Sequence, residues 1–530
     1  MAQGKDRCDA QSWDVDAVVI GAGIGGLSAA AVLARSGMRV AVFEEQPRPG
    51  GYLSAFSRKG FTFDSSVQWL NNCRPGGYVH RVLGYVGDDF PKSIRASRVR
   101  RYRGGTFDYV LTDNPDLLRD QLVRDFPEDA EGILRFFSDC RKLGPHFDIL
   151  NRRMRGHDTM SLPEKSIFGL KMLAWVLPVW KYLNLSAEDG LRRYFRHEGI
   201  KRVFCSEESF MSILMPIAWA YSGDFQYAPA GGVQRYVDWL MEKITAFGSR
   251  VELGSPVQSV LVERAKAAGV TLRDGRVCRA PYVVAACDLL TLYERMLPES
   301  AVPASLVGAL RTADLYYSTF TVYLGLDCPA EELGIHEELT CITRDGIPRE
   351  AHSSGDPSTS CLIVRAPSAL DASLAPEGKS TLTIHCAMWL EHRDRWMTGE
   401  GMARGEAYRK LKSECAEMLV KRVEEALGID LFGHIEVQEA ATPVTFWRYT
   451  GNWAGSIMGQ SPTRRNIKAG LAQGRTPVGN LFIGGHWAEY GGGVPIAMKA
   501  GVNAALNILR DCSNEHFRDL AAALERQEAE

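Results

Sequence analysis

The sequence has 530 residues, of which 62 are Lys or Arg and 64 are Asp or Glu, so the formal net charge is −2. This balance argues against the strongly basic surface of a general nucleic-acid binder, and no nucleic-acid partner is expected. The length allows two to four domains, and many of the 51 glycines cluster near the two ends of the chain.

Secretion, membrane-spanning and metal-binding segments are not expected. The first ten residues are polar and lack the apolar core of a signal peptide. The longest apolar stretch, 167–180, contains Lys171 and Pro178 and is too short to cross a bilayer. The twelve cysteines form no CxxC pair and no zinc-ligand spacing occurs, so we expect reduced thiols, no metal and a cytoplasmic location.

A phosphate-binding turn is predicted near the N-terminus. An apolar, β-branched run at 16–20 leads into a glycine-rich turn, an apolar helix and a second strand at 39–43. Gly21 allows the turn to be tight, and Gly23 allows the backbone to approach a pyrophosphate. Gly26 allows the helix to pack closely on the strand. Ile24 and Gly25 open the helix, whose N–H groups and dipole favour a phosphate.

The residues after the second strand extend the predicted dinucleotide site. Glu44 would accept hydrogen bonds from an adenosine ribose, and its charge disfavours the 2′-phosphate of NADP. Glu45 is a weaker candidate for this role, because it also fits an exposed surface acid. Gly50 and Gly51 would bring more backbone to the same cofactor, and Arg48 would pair with its phosphates. The plainer alternatives are ordinary turns without a ligand.

The order of these features resembles a known superfamily. The glycine turn, the acid, the Arg-x-Gly-Gly segment and a hydrophobic-Asp segment at 61–67 resemble the flavin-containing amine oxidases and phytoene desaturases. Segments 227–232, 257–285 and 480–509 are similar to the branch of phytoene desaturases, carotenoid isomerases and retinol saturases. The resemblance covers most of the chain. It implies FAD as the cofactor and adds these contact residues: Ser65, Ser66, Val67, Val257, Gly485, His486, Gly493, Val494 and Pro495.

Two positions depart from the family pattern. His486 stands where members often carry an acid that holds the ribityl chain, although an imidazole can also bind a hydroxyl. Tyr52 and Ser54 follow the second glycine pair, where amine oxidases usually carry Arg, and this favours the polyene branch. Independently of the resemblance, a short strand at 481–483, then glycines and a helix, predicts a second helix N-terminus that suits an anion.

The predicted fold class is α/β, with a discontinuous Rossmann-type FAD-binding domain, an inserted mixed-sheet substrate domain and a helical cap. We place the FAD-binding domain at 14–115, 226–315 and 435–512. The helical cap would occupy 116–225 and the substrate domain 316–434, where strand patterns precede a long charged helix. A charged C-terminal tail follows at 513–530.

The resemblance implies an FAD-dependent oxidoreductase acting on C=C or C–C bonds of a lipophilic polyene or related conjugated natural product, by desaturation or saturation. No second GxGxxG occurs, so electrons would pass to or from oxygen, a quinone or a reductase. Three alternatives stay open: a redox-neutral cis–trans isomerase of a carotenoid-like polyene, a flavin oxidase of an amine or other small metabolite, and a non-catalytic prenyl- or lipid-binding module of the GDP-dissociation-inhibitor type.

Three residues near the second glycine cluster are candidates for catalysis. Glu489 and Tyr490 would move a proton, and Trp487 would form an aromatic wall for a flat conjugated substrate. The plainer interpretations are an exposed loop acid and aromatic side chains in the core.

Peripheral membrane contact is an open question for the segment 167–183. Trp180 and Tyr182 lie beside Lys171 and Lys181, a pattern found in interfacial segments. A core helix beneath a substrate cavity is the favoured alternative.

Overall fold

The computed structural model describes residues 13–67, 69–152, 155–183 and 185–525, so the end of the predicted tail at 513–530 lies outside it. The strands in chain order are β1 (Ala17–Ile20), β2 (Val40–Phe43), β3 (Ala55–Arg58), β4 (Phe61–Asp64), β5 (Ile94–Arg95), β6 (Arg98–Arg103), β7 (Asp108–Thr112), β8 (Gln226–Tyr227), β9 (Arg250–Glu252), β10 (Val257–Glu263), β11 (Lys266–Leu272), β12 (Val277–Arg279), β13 (Tyr282–Ala285), β14 (Ser318–Leu326), β15 (Leu339–Ile342), β16 (Leu362–Arg365), β17 (Ser380–Met388), β18 (Ile435–Ala441) and β19 (Leu481–Ile483). The helices are α1 (Ile24–Arg35), α2 (Tyr78–Val86), α3 (Pro115–Asp125), α4 (Ala130–Arg152), α5 (Leu162–Leu183), α6 (Ala187–Arg192), α7 (Glu198–Val203), α8 (Phe210–Ser222), α9 (Gln234–Ala246), α10 (Leu289–Thr291), α11 (Ala304–Arg311), α12 (His392–Met397), α13 (Glu406–Leu427), α14 (Pro443–Thr450), α15 (Arg464–Ala469), α16 (Gly493–Asp511) and α17 (His516–Glu525).

A five-stranded parallel sheet carries the N-terminal glycine turn. Its strand order is β19-β13-β1-β2-β9, and every neighbouring pair is parallel. Both β1 and β2 are buried along their whole length, as expected for strands covered on two faces. The strands come from separated parts of the chain, and the predicted α/β class with a discontinuous Rossmann-type sheet is confirmed.

A seven-stranded sheet forms the other half of the molecule, in the order β18-β14-β17-β16-β15-β6-β7. Its neighbours are antiparallel except β15 and β6, which are parallel, so the predicted mixed sheet is confirmed. However, β6 and β7 were expected in the cofactor segment 14–115, and β18 in the segment 435–512. These boundaries need correction, because strand pairing between distant segments brings all three strands into this sheet.

The helical region at 115–222 has an aromatic core. The Phe136 ring contacts those of Phe137, Tyr194, Phe195 and Phe204, with centroid distances of 5.5, 5.5, 5.3 and 5.7 Å. Burial of such rings contributes strongly to the stability of the cap.

Helix α5 is an exception within this region. Its Leu170, Leu177 and Trp180 side chains are 71%, 63% and 62% exposed, whereas Val179 and Tyr182 are buried near its end. The core-helix interpretation is therefore wrong for most of α5. Within the described ranges, no helix combines the length and the apolar character that a bilayer span requires.

Candidate functional site

A cavity of about 1050 Å³ begins at the carboxyl ends of β1 and β2 and extends over the seven-stranded sheet. This edge of a parallel sheet is where such folds bind ligands. Its far part is lined by the second sheet and by α8, including Met215, Pro216 and Trp219. The cavity therefore joins a nucleotide-type cradle to a largely apolar chamber.

The N-terminal glycine turn forms the first wall of the cavity. Gly21 has φ +98°, a conformation that L side chains rarely adopt, and a Cβ there would lie 2.9 Å from the Ala286 carbonyl oxygen. A Cβ on Gly26 would lie 2.1 Å from the Gly21 carbonyl oxygen, which confirms the predicted close packing. A Cβ on Gly23, by contrast, would meet no atom within 4 Å. The position closest to the expected pyrophosphate thus faces open space.

The second glycine pair lies against the first turn. The Gly50 N–H donates to the Ala22 carbonyl oxygen over 2.8 Å, and Gly50 forms a parallel bridge with Gly23. A Cβ on Gly51 would lie 3.6 Å from the Gly23 Cα. The two glycine segments, predicted from separate motifs, therefore line one surface.

The Glu44 carboxylate is held at the edge of this surface. Its Oε2 accepts a hydrogen bond of 2.7 Å from the Ala22 N–H, and its Oε1 accepts one of 2.8 Å from the Gln46 N–H. Burial raises the pKa of Glu44 above its ordinary value, while these N–H groups favour the charged form. The carboxylate is thereby oriented as an acceptor beside the glycine turn.

A second helix N-terminus reaches the same cavity. Neither α1 nor α16 has a side-chain N-cap, so their first N–H groups are not satisfied in that way. Gly23 to Gly25 and Gly492 to Val494 line the cavity from these two helix ends. The two uncapped dipole ends favour an anionic ligand between them.

His486 lines the cavity and has one unpaired ring nitrogen. Its Nε2 is buried and has no hydrogen-bond partner among the described residues. Burial lowers the pKa of His486 to about 4, so the ring is neutral at physiological pH. A neutral imidazole with one unused nitrogen suits a hydroxyl-bearing ligand.

Most of the predicted cofactor-binding residues line the cavity. These are Gly21, Gly23, Ile24, Gly25, Glu44, Glu45, Gly50, Gly51, Ser66, Val67, Val257, Gly485, His486, Gly493, Val494 and Pro495. Glu45 also forms an ion pair of 3.2 Å with Arg273, as an exposed surface acid would.

Three predicted cofactor contacts lie elsewhere. Gly26 is buried against β1. The Arg48 side chain is exposed and does not line the cavity, so the structure does not bring it to the expected phosphates. The Ser65 hydroxyl does not line the cavity, because it donates a hydrogen bond to the Tyr52 carbonyl oxygen.

The predicted proton-transfer residues are also not in the cavity wall. Glu489 forms an ion pair of 3.0 Å with Lys499, and the Tyr490 hydroxyl donates to the Asn466 carbonyl oxygen over 2.7 Å. Both expectations are corrected, because the short turn at 486–488 directs these side chains to other partners. Trp487 does line the cavity, and its Nε1 donates to the Asn452 Oδ1 over 3.0 Å.

A polar network around Asn452 was not predicted. The Asn452 amide donates to the Tyr52 hydroxyl over 3.3 Å, and this hydroxyl donates to the Ser456 carbonyl oxygen over 2.8 Å. Burial raises the pKa of Tyr52 to about 12, so it stays protonated. Tyr52 was noted only as a departure from the amine oxidase pattern, yet it connects the second glycine pair with Trp487.

His486→Gln should change the pH dependence of stability. Because the unfolded ring takes up a proton near pH 6.5 and the folded ring only near pH 4, the unfolded state binds more protons between these values. The stabilisation is therefore present above pH 6.5 and is lost as the pH falls toward 4, by at most about 3 kcal/mol. Urea unfolding of the flavin-free proteins measures the free energy of unfolding at pH 7 and at pH 5. The difference between these two free energies should be smaller in the variant than in the unmodified protein. Equal differences in both proteins would contradict the assignment.

Among the residues that the structure describes, one group of metal-ligand type occurs, although no metal was expected. Ligand atoms of Asp327, Cys328 and His434 lie within 4.8 Å of one another, and the His434 Nδ1 is 2.7 Å from the Asp327 Oδ1. An exposed hydrogen bond between His and Asp gives the same arrangement. All cysteines in the described part of the chain are free thiols.

Comparisons with known proteins agree with this geometry. Residues 24–509 match the family described as flavin containing amine oxidoreductase. The chloroplastic prolycopene isomerase of Daucus carota is 26% identical over 522 residues, which cover 95% of this chain and 82% of that protein. A phytoene desaturase of Fusarium fujikuroi is 24% identical over 536 residues, covering 93% and 89%. The solved structure of an oxidoreductase from Methanosarcina mazei shares the fold, with a TM-score of 0.56, 19% identity and coverage of 92% and 98%.

Proposed function

This chain belongs to the family of flavin containing amine oxidoreductases, and from that premise we propose that it acts on C=C or C–C bonds of a lipophilic polyene. The protein is an enzyme, and its cofactor is FAD. The remaining question is which substrate enters the chamber beyond the cofactor cradle.

The residues present fit FAD. The two uncapped helix ends suit the pyrophosphate, Glu44 suits the adenosine ribose, and the unpaired His486 Nε2 suits a ribityl hydroxyl. A Cβ on Gly23 would project into the cavity and into no protein atom. When bound, FAD supplies hydride chemistry, while the protein orients the substrate and excludes water.

The observation that carries the proposal is the continuity of the cavity. From the cofactor cradle it passes Trp487 and continues over the second sheet, where Trp69, Ile363 and Trp389 are among its lining. An extended chamber with aromatic and aliphatic walls suits a flat apolar chain better than a small cation. The names of the isomerase and the desaturase relatives support a polyene.

Two outcomes of the chemistry are compatible with this site. Desaturation removes a hydride and a proton from adjacent carbons and needs an electron acceptor such as oxygen, a quinone or a reductase; saturation is the reverse and needs a donor. Redox-neutral cis–trans isomerisation is the second candidate, favoured by the relative named prolycopene isomerase.

Anaerobic incubation of the FAD-loaded enzyme with phytoene and prolycopene should separate these reactions. Bleaching of the oxidised flavin indicates desaturation, reoxidation of reduced flavin indicates saturation, and changed isomers without a colour change indicate isomerisation. Putrescine serves as the amine control. Bleaching by putrescine with no effect of either polyene would contradict the proposal.

We also propose that α5 attaches the enzyme to an anionic lipid surface. Its exposed leucines and Trp180 lie beside Lys171 and Lys181, and α5 packs on α8, which lines the substrate part of the cavity. Interfacial helices combine such apolar and basic side chains. A lipid-soluble substrate could then enter close to its chamber.

Replacing Leu170 and Leu177 by Glu should abolish sedimentation with phosphatidylserine vesicles, because each change removes an apolar contact and adds repulsion. Met418→Glu, an exposed apolar position on α13, is the matched control and should bind as the unmodified protein does. If the Leu170 and Leu177 variants bind vesicles as well as the unmodified protein does, attachment through α5 is contradicted.

A further inference from the structure

An oblique track of side chains crosses the seven-stranded sheet below the cavity. Residue pairing places His385 opposite Ile363, and Ile363 opposite Cys341. On β14 the track begins at Thr319, which pairs with Ala387, two residues beyond His385. On β6 it ends at Arg100, which pairs with Leu339, two residues before Cys341. All five side chains line the cavity. Four steps between neighbouring strands at about 4.8 Å each, with a displacement of four residues along the strands at about 3.3 Å each, make the track roughly 23 Å long.

The two ends of the track differ in their surroundings. The β14 end lies at the cofactor cradle, since the Tyr316 N–H donates to the Gly459 carbonyl oxygen over 2.9 Å and a Cβ on Gly459 would lie 2.7 Å from His486. Arg100 lies at the opposite end. A chain that places one bond at the cofactor therefore points its terminus toward Arg100.

This far end carries charged side chains, whereas Thr319, His385, Ile363 and Cys341 precede it along the track. The Arg100 Nη1 is 2.9 Å from the Glu207 Oε1, and these side chains are only 12% and 25% exposed. The Ser206 Oγ is buried without a hydrogen-bond partner among the described residues, and so is the Arg100 Nε. Ser206 and Glu207 also line the cavity.

A hydrocarbon terminus would cover the partly exposed Arg100 and Glu207 side chains without offering them a hydrogen bond. Leaving a buried donor or a charge unsatisfied costs more than a hydrogen bond gains, so such a ligand is disfavoured here. A carboxylate terminus would meet Glu207 and also Glu208, which lines the same part of the cavity. With one Arg against two Glu, the pocket does not favour a further anion.

We propose that Arg100, Glu207 and Ser206 form a binding site for a neutral hydroxyl at the end of an extended apolar substrate. A hydroxyl donates to the Glu207 carboxylate and accepts from Arg100 or Ser206, which satisfies the groups at this end. The site rests on the proposed function, because it defines the substrate class as polyenes with a terminal alcohol. Arg100 and Glu207 are binding residues in this assignment and take no part in the reaction.

The test measures binding to the FAD-loaded enzyme with three fluorescent conjugated chains of equal length. They are parinaric acid, the alcohol obtained by reducing it, and the hydrocarbon with a methyl terminus. The alcohol should bind on the order of tenfold more tightly than either of the others. In Arg100→Met and in Glu207→Gln this preference should fall to about twofold, with the affinity for the hydrocarbon unchanged.

Arg101→Met is the matched control. It removes an ion pair with Asp108 from the opposite face of the same strand and should keep the preference for the alcohol. The inference is overturned if the acid binds most tightly, if the preference survives in both variants, or if Arg101→Met removes it equally. Binding of all three chains with equal affinity overturns only the end-group site. Binding of none, with FAD retained, overturns the proposed function as well.

Discussion

Gly23→Ala should abolish FAD binding and leave the fold intact. The backbone of Gly23 has φ −73° and ψ 171°, which alanine adopts without strain. Its Cβ would contact no protein atom but would occupy the space in which the pyrophosphate must approach the helix N-terminus. Loss of two or more N–H bonds to a charged group lowers the affinity for FAD on the order of a hundredfold or more.

The measurement combines flavin absorbance after gel filtration with thermal unfolding of the flavin-free protein. The control is Gly308→Ala, at an exposed position of α11 where a Cβ also meets nothing within 4 Å. The control should bind FAD normally, and both variants should unfold within a few degrees of the unmodified apoprotein. Full FAD occupancy of the Gly23→Ala variant would contradict the assignment of the glycine turn to the cofactor site.

The cofactor cradle was predictable because its determinants are local in sequence. Gly21, Gly23 and Gly26 lie close together in the sequence, and strand, turn and helix follow one another directly. The spacing of the glycines is therefore enough to predict the geometry of the turn. Glu44 is equally local, since it follows the second strand of the same unit. The structure brings Gly21, Gly23 and Glu44 to one cavity edge, where most of the predicted contacts lie.

The substrate end was not predictable in this way. Arg100 and Cys341 lie close together because β6 pairs in parallel with β15, although the two residues are 241 positions apart in the chain. No periodicity reports a pairing of that kind. Glu489 and Tyr490 failed for the opposite reason: both are neighbours of a cofactor-lining segment in sequence, but a single short turn decides where each side chain points.

Exposure of α5 was also beyond the sequence pattern. Its apolar residues surround the helix, which predicts a buried element in a soluble fold or contact with lipid. Only the structure shows that the end of α5 with Val179 and Tyr182 is buried while the rest of the helix is exposed. The charges of Lys171 and Lys181 were visible from the start, but they fit either interpretation.

Gly501→Ala should unfold or strongly destabilise the protein, with a loss of about 3 kcal/mol or more. A Cβ at this position in α16 would lie 2.0 Å from the Gly25 carbonyl oxygen and 2.8 Å from its carbonyl carbon, so the two helices would have to separate. Helix propensity alone gives the opposite sign, since alanine favours a helix over glycine by about 1 kcal/mol. Gly308→Ala in α11 measures the effect of helix propensity without a steric clash, and it should stabilise the protein slightly.

The close contact of α1 and α16 also positions the two helix N-termini at one cavity. If Gly501→Ala folds at all, separation of the helices should lower FAD affinity even though residue 501 does not line the cavity. Urea unfolding followed by FAD titration of the folded fraction measures both effects. A stabilised variant with normal FAD affinity would mean that the helices do not need this contact, and the convergence of their dipoles on the cofactor would lose its structural basis.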